Sequence, residues 1–182
     1  MERFKNYGTV KLIIMALSFV GALSMMIMIF RFSSQTGKES GNKSGAITDE
    51  IIDIVVKEPE KLDKNTYDSI KQKIEFFIRK AAHFTEFAGL GLFVAAFTAC
   101  ITEKKKFIFL ISLAFSVLYA SSDEIHQLFV AGRGASVRDV LIDTSGAFVG
   151  IILVLTALII ISSVRKRNFK KAFAEAEKTD VN

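Results

Sequence analysis

The sequence predicts an all-α polytopic membrane protein, a bundle of four transmembrane helices with amphipathic helices in its first connection. Hydrophobic residues make up 51% of the chain and charged residues 24%, and the two kinds are segregated into long apolar blocks and wet connections. Residues 12–30 form 19 consecutive positions without a charge, which at about 1.5 Å per residue nearly matches a hydrocarbon core of roughly 30 Å. Three further blocks of similar length follow, each with its few ionisable residues near one end. A length of 182 residues suits one domain.

The first span is expected over about 10–30. Arg3, Lys5 and Lys11 precede it as they would in a secretory signal, but the apolar run is long and Phe30-Arg31-Phe32-Ser33 lacks a small-x-small cleavage pattern. A retained span is therefore expected. The connection over 31–79 begins with a stretch rich in Ser and Gly, 33–45, that has no apolar periodicity and reads as a loop. Ile47, Ile51 and Val55 then recur every four residues, as in a short amphipathic helix that Pro59 would end. Tyr67, Ile70, Ile74, Phe77 and Ile78 mark a second amphipathic helix, which meets no breaker before the second span over 82–101. The lone Cys100 lies in that span, so a disulfide framework is excluded and the thiol is a packing group.

The third span, about 107–128, is apolar as far as Ser122 and closes on Asp123-Glu124-Ile125-His126-Gln127. A tight turn follows, with Gly132 and Gly134 free to adopt positive φ. Ser136-Val137-Arg138-Asp139 has capping-box spacing and starts the fourth helix, whose span runs over about 138–164. Gly146 and Gly150 within it form a G-x-x-x-G pair, the pattern of a close helix-packing surface. Residues 165–182 form a charged tail. No repeat or low-complexity tract interrupts the order.

Four spans put the amino terminus, the 102–106 turn and the carboxyl terminus on one side. That side holds Arg3, Lys5 and Lys11, then Lys104 to Lys106, then Arg165 to Arg167. Compact basic clusters mark the cytoplasmic face, so both termini are expected inside. Contact with anionic lipid accounts for the net charge of +5 and no nucleic-acid partner is implied.

With this topology the unusual ionisable residues converge. His83 and Glu86 lie at the start of the second span, Asp123, Glu124 and His126 at the close of the third, Asp139 and Asp143 at the start of the fourth, and Arg133 in the turn between. Residues three or four apart share a helix face, which aligns Arg79, His83 and Glu86, then Asp123, His126 and Gln127, then Asp139 and Asp143. Such faces are costly against acyl chains and turn inward, so a polar pocket at one membrane surface is expected. Without a ligand the same groups would pair with each other, Arg79 or Lys80 with Asp123 and Arg133 with Asp143. On that view Asp139 is a cap, Lys80 snorkels to headgroups, and Glu124, pointing away from the Asp123–His126 face, is solvated.

No cofactor is expected. A divalent metal would draw on His83-x-x-Glu86 and Asp123-x-x-His126, one pair from each of two helices, but neither H-E-x-x-H nor a cysteine pair strengthens that pattern. Two imidazoles beside carboxylates and an arginine also suit proton transfer at, or binding of, a phosphate-bearing headgroup.

The three segments Arg79-Lys80-Ala81-Ala82-His83-Phe84-Thr85-Glu86-Phe87, Ser122-Asp123-Glu124-Ile125-His126-Gln127-Leu128-Phe129 with Gly132-Arg133, and Ser136-Val137-Arg138-Asp139-Val140-Leu141-Ile142-Asp143-Thr144 resemble the VanZ-like family. The resemblance extends to Phe32-Ser33-Ser34-Gln35 and covers most of the chain. It implies a role in the bacterial cell envelope, since the family takes its name from an accessory protein of glycopeptide resistance associated with teicoplanin. It also implies that Lys80, His83, Glu86, Asp123, Glu124, His126, Gln127, Arg133, Asp139 and Asp143 are the site positions, and it supplies no reaction.

The sequence thus leads to a multi-pass plasma-membrane protein whose outward pocket binds an envelope lipid, a lipid-linked intermediate or a lipophilic glycopeptide. Two alternatives stand beside it: a membrane enzyme, acid–base or metal-assisted, acting on such a headgroup, and a structural bundle that partners other envelope proteins.

Overall fold

A computed structural model describes residues 2–56 and 63–179 as five helices, with no strand among the described residues. They are α1 (Glu2–Ser33), α2 (Gly37–Val55), α3 (Lys64–Ile101), α4 (Lys105–Gln127) and α5 (Val137–Thr179). Helices α1, α3, α4 and α5 are each long and apolar enough to cross a membrane, because a chain in lipid must satisfy its backbone internally and helices do so. The chain is a multi-pass, all-α membrane protein.

Helix α3 is the hub and packs against all four of the others, most extensively against α5 and then α1. Glycines fix how close α3 and α5 come. A Cβ at Gly146 would strike the backbone of Phe84, one at Gly150 the backbone of Ala88 and Leu92, and one at Gly91 the backbone of Ala147. The G-x-x-x-G pair is thus a close-packing seam. Around it lie Phe87, Leu90, Ala120 and Ala147, all 0% exposed. Helix α4 meets the bundle along a stripe of period four, Ile108, Ser112, Ser116 and Ala120, whose small members allow close approach. Ser116 returns its hydroxyl proton to the Ser112 carbonyl, and Ser112 meets the Thr98 hydroxyl, so buried polar groups on the stripe find partners. The same stripe continues into Asp123, Glu124 and Gln127, all buried. The polar site is therefore the end of the packing seam.

Helix α1 is held mainly by its last turns. Tyr119 donates to the Met26 carbonyl at 2.7 Å, and Ile29 is fully buried in the central cluster, while Leu12, Leu17, Phe19 and Val20 are exposed on its surface, as expected of a lipid-facing helix.

The connection differs from its sequence reading. The stretch over 33–45 was expected as a loop, but α2 already begins at Gly37. Thr36 and Glu39 form a reciprocal capping box: the Thr36 N–H donates to the Glu39 carboxylate at 2.9 Å and the Glu39 N–H to the Thr36 hydroxyl at 3.2 Å, satisfying two orphan donors. The buried face of α2 is also not Ile47, Ile51 and Val55, since Ile47 and Val55 are exposed. Ser44, Thr48 and Ile52 are buried instead, with Thr48 donating back to the Ser44 carbonyl. Pro59, expected to end this helix, lies outside the described residues.

Helix α3 has 38 residues, hence a length of about 57 Å that exceeds a hydrocarbon core of about 30 Å. Its first turns stand beyond the apolar span and carry α2, tied by Lys71 to Asp49 at 2.6 Å. Along this part Ile70, Ile74 and Ile78 are half-buried, whereas Phe77 is exposed. Helix α5 runs on well past 164 to Thr179, so the segment expected as a tail is largely a continuation of the same helix.

Candidate functional site

The site forms where the middle of α3, the end of α4, the α4–α5 turn and the start of α5 meet. A cleft of about 200 Å³ opens there, lined by Gly37, Phe76, Arg79, Lys80, His83, Glu124, Gln127, Gly132, Arg133, Gly134, Asp139 and Asp143. Two corners of the chain close its rim. Gly132 takes a left-handed φ of 73°, where glycine carries no steric cost, and the Gly37 N–H donates to the Ala131 carbonyl at 3.1 Å. No Cβ fits at Gly37 against the Gly132 backbone.

Arg133 anchors this rim. Its Nε donates to the Gln35 carbonyl at 2.9 Å and its Nη2 to the Phe32 carbonyl at 3.1 Å, which ties the α4–α5 turn to the end of α1. The expected partner, Asp143, is not the group it bonds: the carbonyls of Phe32, in the last turn of α1, and of Gln35, just past it, accept from the fork of its N–H groups. Burial first, and the neighbouring Arg79 second, lower the Arg133 pKa. A guanidinium stays charged even so.

Lys80 pairs with Asp139 at 2.5 Å rather than with Asp123, each side chain being about four-fifths buried. The ammonium therefore bridges α3 and α5 and does not snorkel. Asp139 was expected to act as a cap, but the N-cap N–H, that of Ser136, is accepted by Glu124 at 2.7 Å. Glu124 is thus not solvated: it is 4% exposed and holds the first turn of α5 from α4, where a carboxylate also favours the positive end of the helix dipole.

His126 does not share a face with Asp123 in the cleft. Its ring packs on Phe30 with centroids 4.7 Å apart, and its Nε2 lies 3.1 Å from the Ser34 hydroxyl. At 100° per residue, three positions leave about 60° between two side chains on a helix, enough here for Asp123 to face α3 and α5 while His126 faces α1. The expected pairing of Asp123 with His126 as metal ligands is replaced by a different group. One ligand atom each from His83, Asp123 and Asp143 lies within 4.8 Å of the others. Gln127 holds the Asp123 carboxylate from below, Nε2 to Oδ2 at 2.9 Å. Buried and without a hydrogen-bond partner are His83 Nδ1, Asp143 Oδ2 and, one turn further along α3, Glu86 Oε2.

Arg79, aligned with His83 in the sequence, lines the cleft beside Lys80. Phe76 supports both sides of the entrance, with Lys80 5.3 Å and Arg138 5.7 Å from its ring centroid. Sequence reasoning missed Phe76, Ser34 and the Phe32 and Gln35 carbonyls as partners of the site. The motif over 32–35 was the signal that could have found the last three. A larger cavity, about 410 Å³, opens at the opposite end of the bundle between α1, α3 and α4, walled by groups such as Phe19, Leu23, Phe97 and Phe115. Its lining offers no ionisable group.

The arrangement gathers cations at a cleft mouth over a floor of imidazole and carboxylates, at one end of an apolar bundle. A family model described as VanZ/LLP1 matches residues 18–161. The chain belongs to the VanZ/LLP1 family. The match spans α1 from its middle through α2, α3 and α4 to most of the apolar part of α5, and so takes in every VanZ/LLP1 residue of the cleft. Among curated proteins and among solved structures nothing matches the chain.

Proposed function

We propose that this VanZ/LLP1 protein uses the cleft, facing outward from a bacterial plasma membrane with both termini inside, to bind the phosphate-bearing headgroup of an envelope lipid or lipid-linked intermediate. A lipophilic glycopeptide is the other ligand of suitable chemistry, and lowered susceptibility to teicoplanin-type compounds is then one visible consequence. The observation that carries this reading is Arg79: it lines the cleft beside Lys80 and Arg133, and among the described residues it has no hydrogen-bond or ion-pair partner. Lys80 and Arg133 are already engaged. A free guanidinium at a cleft mouth matches a bidentate phosphate oxygen pair.

The test uses protein in nanodiscs titrated with a short-chain prenyl phosphate and with the corresponding neutral prenol. The phosphate is expected to bind, the prenol to bind at least about tenfold more weakly, and Arg79→Gln to erase that difference, since a charge-assisted hydrogen bond contributes about 1.5–3 kcal/mol. Equal binding of the two probes would sink the reading. Sidedness is read separately on a Cys100→Ser background, where a membrane-impermeant maleimide should reach Ala131→Cys from the medium and Glu103→Cys only after permeabilisation.

A second reading, an enzyme acting on the same headgroup, is favoured by the mutual approach of His83, Asp123 and Asp143. It predicts headgroup turnover that Asp143→Asn abolishes while prenyl phosphate still binds.

A further inference from the structure

We propose that His83, Asp123 and Asp143 form a divalent-cation site at the floor of the cleft. For its role the inference rests on the headgroup reading, because the open coordination positions of the ion face the place given there to phosphate. For its existence it rests on ligand geometry alone.

The three ligand atoms come from three helices, α3, α4 and α5, and lie within 4.8 Å of one another. The spread asks for modest closure, since donors about 2.0–2.2 Å from a zinc ion stand roughly 3–4 Å apart. A second observation points to a ligand independently of this proximity. Asp143 is 1% exposed and its Oδ2 has no hydrogen-bond partner, and His83 Nδ1 is likewise buried and unpaired. Buried acceptors are ordinarily satisfied, and a cation held by this group would give both residues a partner.

Charge points the same way. Asp123 and Asp143 are both buried, and the cations nearest in the cleft are committed elsewhere: Lys80 is paired with Asp139 and Arg133 bonds two carbonyls. A doubly charged ion matches two carboxylates with a neutral imidazole. Gln127, donating to Asp123 Oδ2, leaves Oδ1 for the ion and fixes the carboxylate, the usual duty of an outer partner. One nitrogen and two oxygens without a thiolate suit Zn²⁺ or Mn²⁺ better than Ca²⁺ or Mg²⁺, which favour all-oxygen shells. Three protein ligands also leave a position free for water or a phosphate oxygen.

This set differs from the two sequence pairs. Asp143 takes the place of Glu86 and His126, and helix rotation is the reason: His126 is turned to Phe30 and Ser34.

The experiment uses the full chain in nanodiscs, stripped with chelator and then equilibrated with Mn²⁺ or Zn²⁺ alone. Metal analysis should find about one ion per chain. The Mn²⁺ spin-echo spectrum should show coupling to one imidazole nitrogen, lost in His83→Gln. Asp143→Asn should weaken binding by at least about tenfold, while Asp49→Asn, on α2 away from the site, leaves it unchanged. Stoichiometry below about one-tenth in folded wild-type protein, absence of nitrogen coupling, or binding that survives both site variants overturns the proposal. Prenyl phosphate binding that persists undiminished in chelator overturns the shared role and leaves the headgroup pocket standing. Metal binding without any preference for prenyl phosphate leaves the ion site standing and removes the ligand assigned to the pocket.

Discussion

Replacing Gly146 by alanine tests whether the α3–α5 seam sets the geometry of the site. An added Cβ would stand 2.9 Å from the Phe84 carbonyl carbon and 3.1 Å from its Cα, with the carbonyl oxygen nearer still. All three are backbone atoms of a packed helix, so no side chain can swing aside. Restoring a separation near 3.5 Å to the carbonyl oxygen, the nearest of the three, moves the two helices apart by about 1–1.5 Å. Overpacking of this kind costs about 1–3 kcal/mol, and the helix preference of alanine returns about 0.5–1 kcal/mol. Against backbone atoms the cost falls at the upper end of that range, so a net loss of about 2 kcal/mol is expected in reversible unfolding in mixed micelles. Because His83 and Asp143 face each other one turn from this contact, binding at the cleft should weaken with it. Gly41→Ala provides the opposite sign: its Cβ meets nothing within 4 Å, so stability should rise by about 0.5–1 kcal/mol. If Gly146→Ala behaves like Gly41→Ala, the seam does not hold the helices in the described register.

Three further outcomes follow from individual contacts. A double-mutant cycle on Lys80→Ala and Asp139→Ala should give a coupling of about 1–2 kcal/mol by micelle unfolding, between the values for exposed and fully buried pairs. A coupling near zero would place the two charges apart. Tyr119→Phe removes the donor to the Met26 carbonyl and should lower stability by about 1 kcal/mol, with faster hydrogen exchange in the last turns of α1 as a local readout. Glu124→Ala strips the charged acceptor from the Ser136 N–H and should cost about 2 kcal/mol, whereas Glu124→Gln keeps an acceptor and loses less.

Much of this architecture is legible in the sequence because lipid is an unforgiving solvent. Four long apolar runs, three of them with ionisable residues near one end, become α1, α3, α4 and α5, and the same reasoning that finds the spans brings Lys80, His83, Asp139 and Asp143 to one cleft, with Asp123 beside them. Partner choice is another matter. His126 and Asp123 are three residues apart yet turn to different neighbours, since the way α4 is rotated in the bundle decides what each meets and pattern spacing does not carry that information. Lys80 finds Asp139 rather than Asp123 for the same reason. The start and the buried face of α2 escaped because that face is Ser44, Thr48 and Ile52, a stripe whose hydroxyls are satisfied within the helix and which hydropathy periodicity does not register. The Thr36-x-x-Glu39 signature was nonetheless present.

The bond from Glu124 to Ser136 bears on how loss-of-activity screens of this protein are to be interpreted. A carboxylate that caps one helix from the end of another serves the folding of the apoprotein, so its replacement lowers the amount of folded molecule before any guest arrives. Such a screen would rank it beside Asp143 and merge two unlike duties, one in assembly and one in recognition. Abundance in the membrane, scored alongside phenotype, separates them: Glu124→Ala should be depleted from the bilayer fraction, and conservative Asp143 variants should remain there, inert.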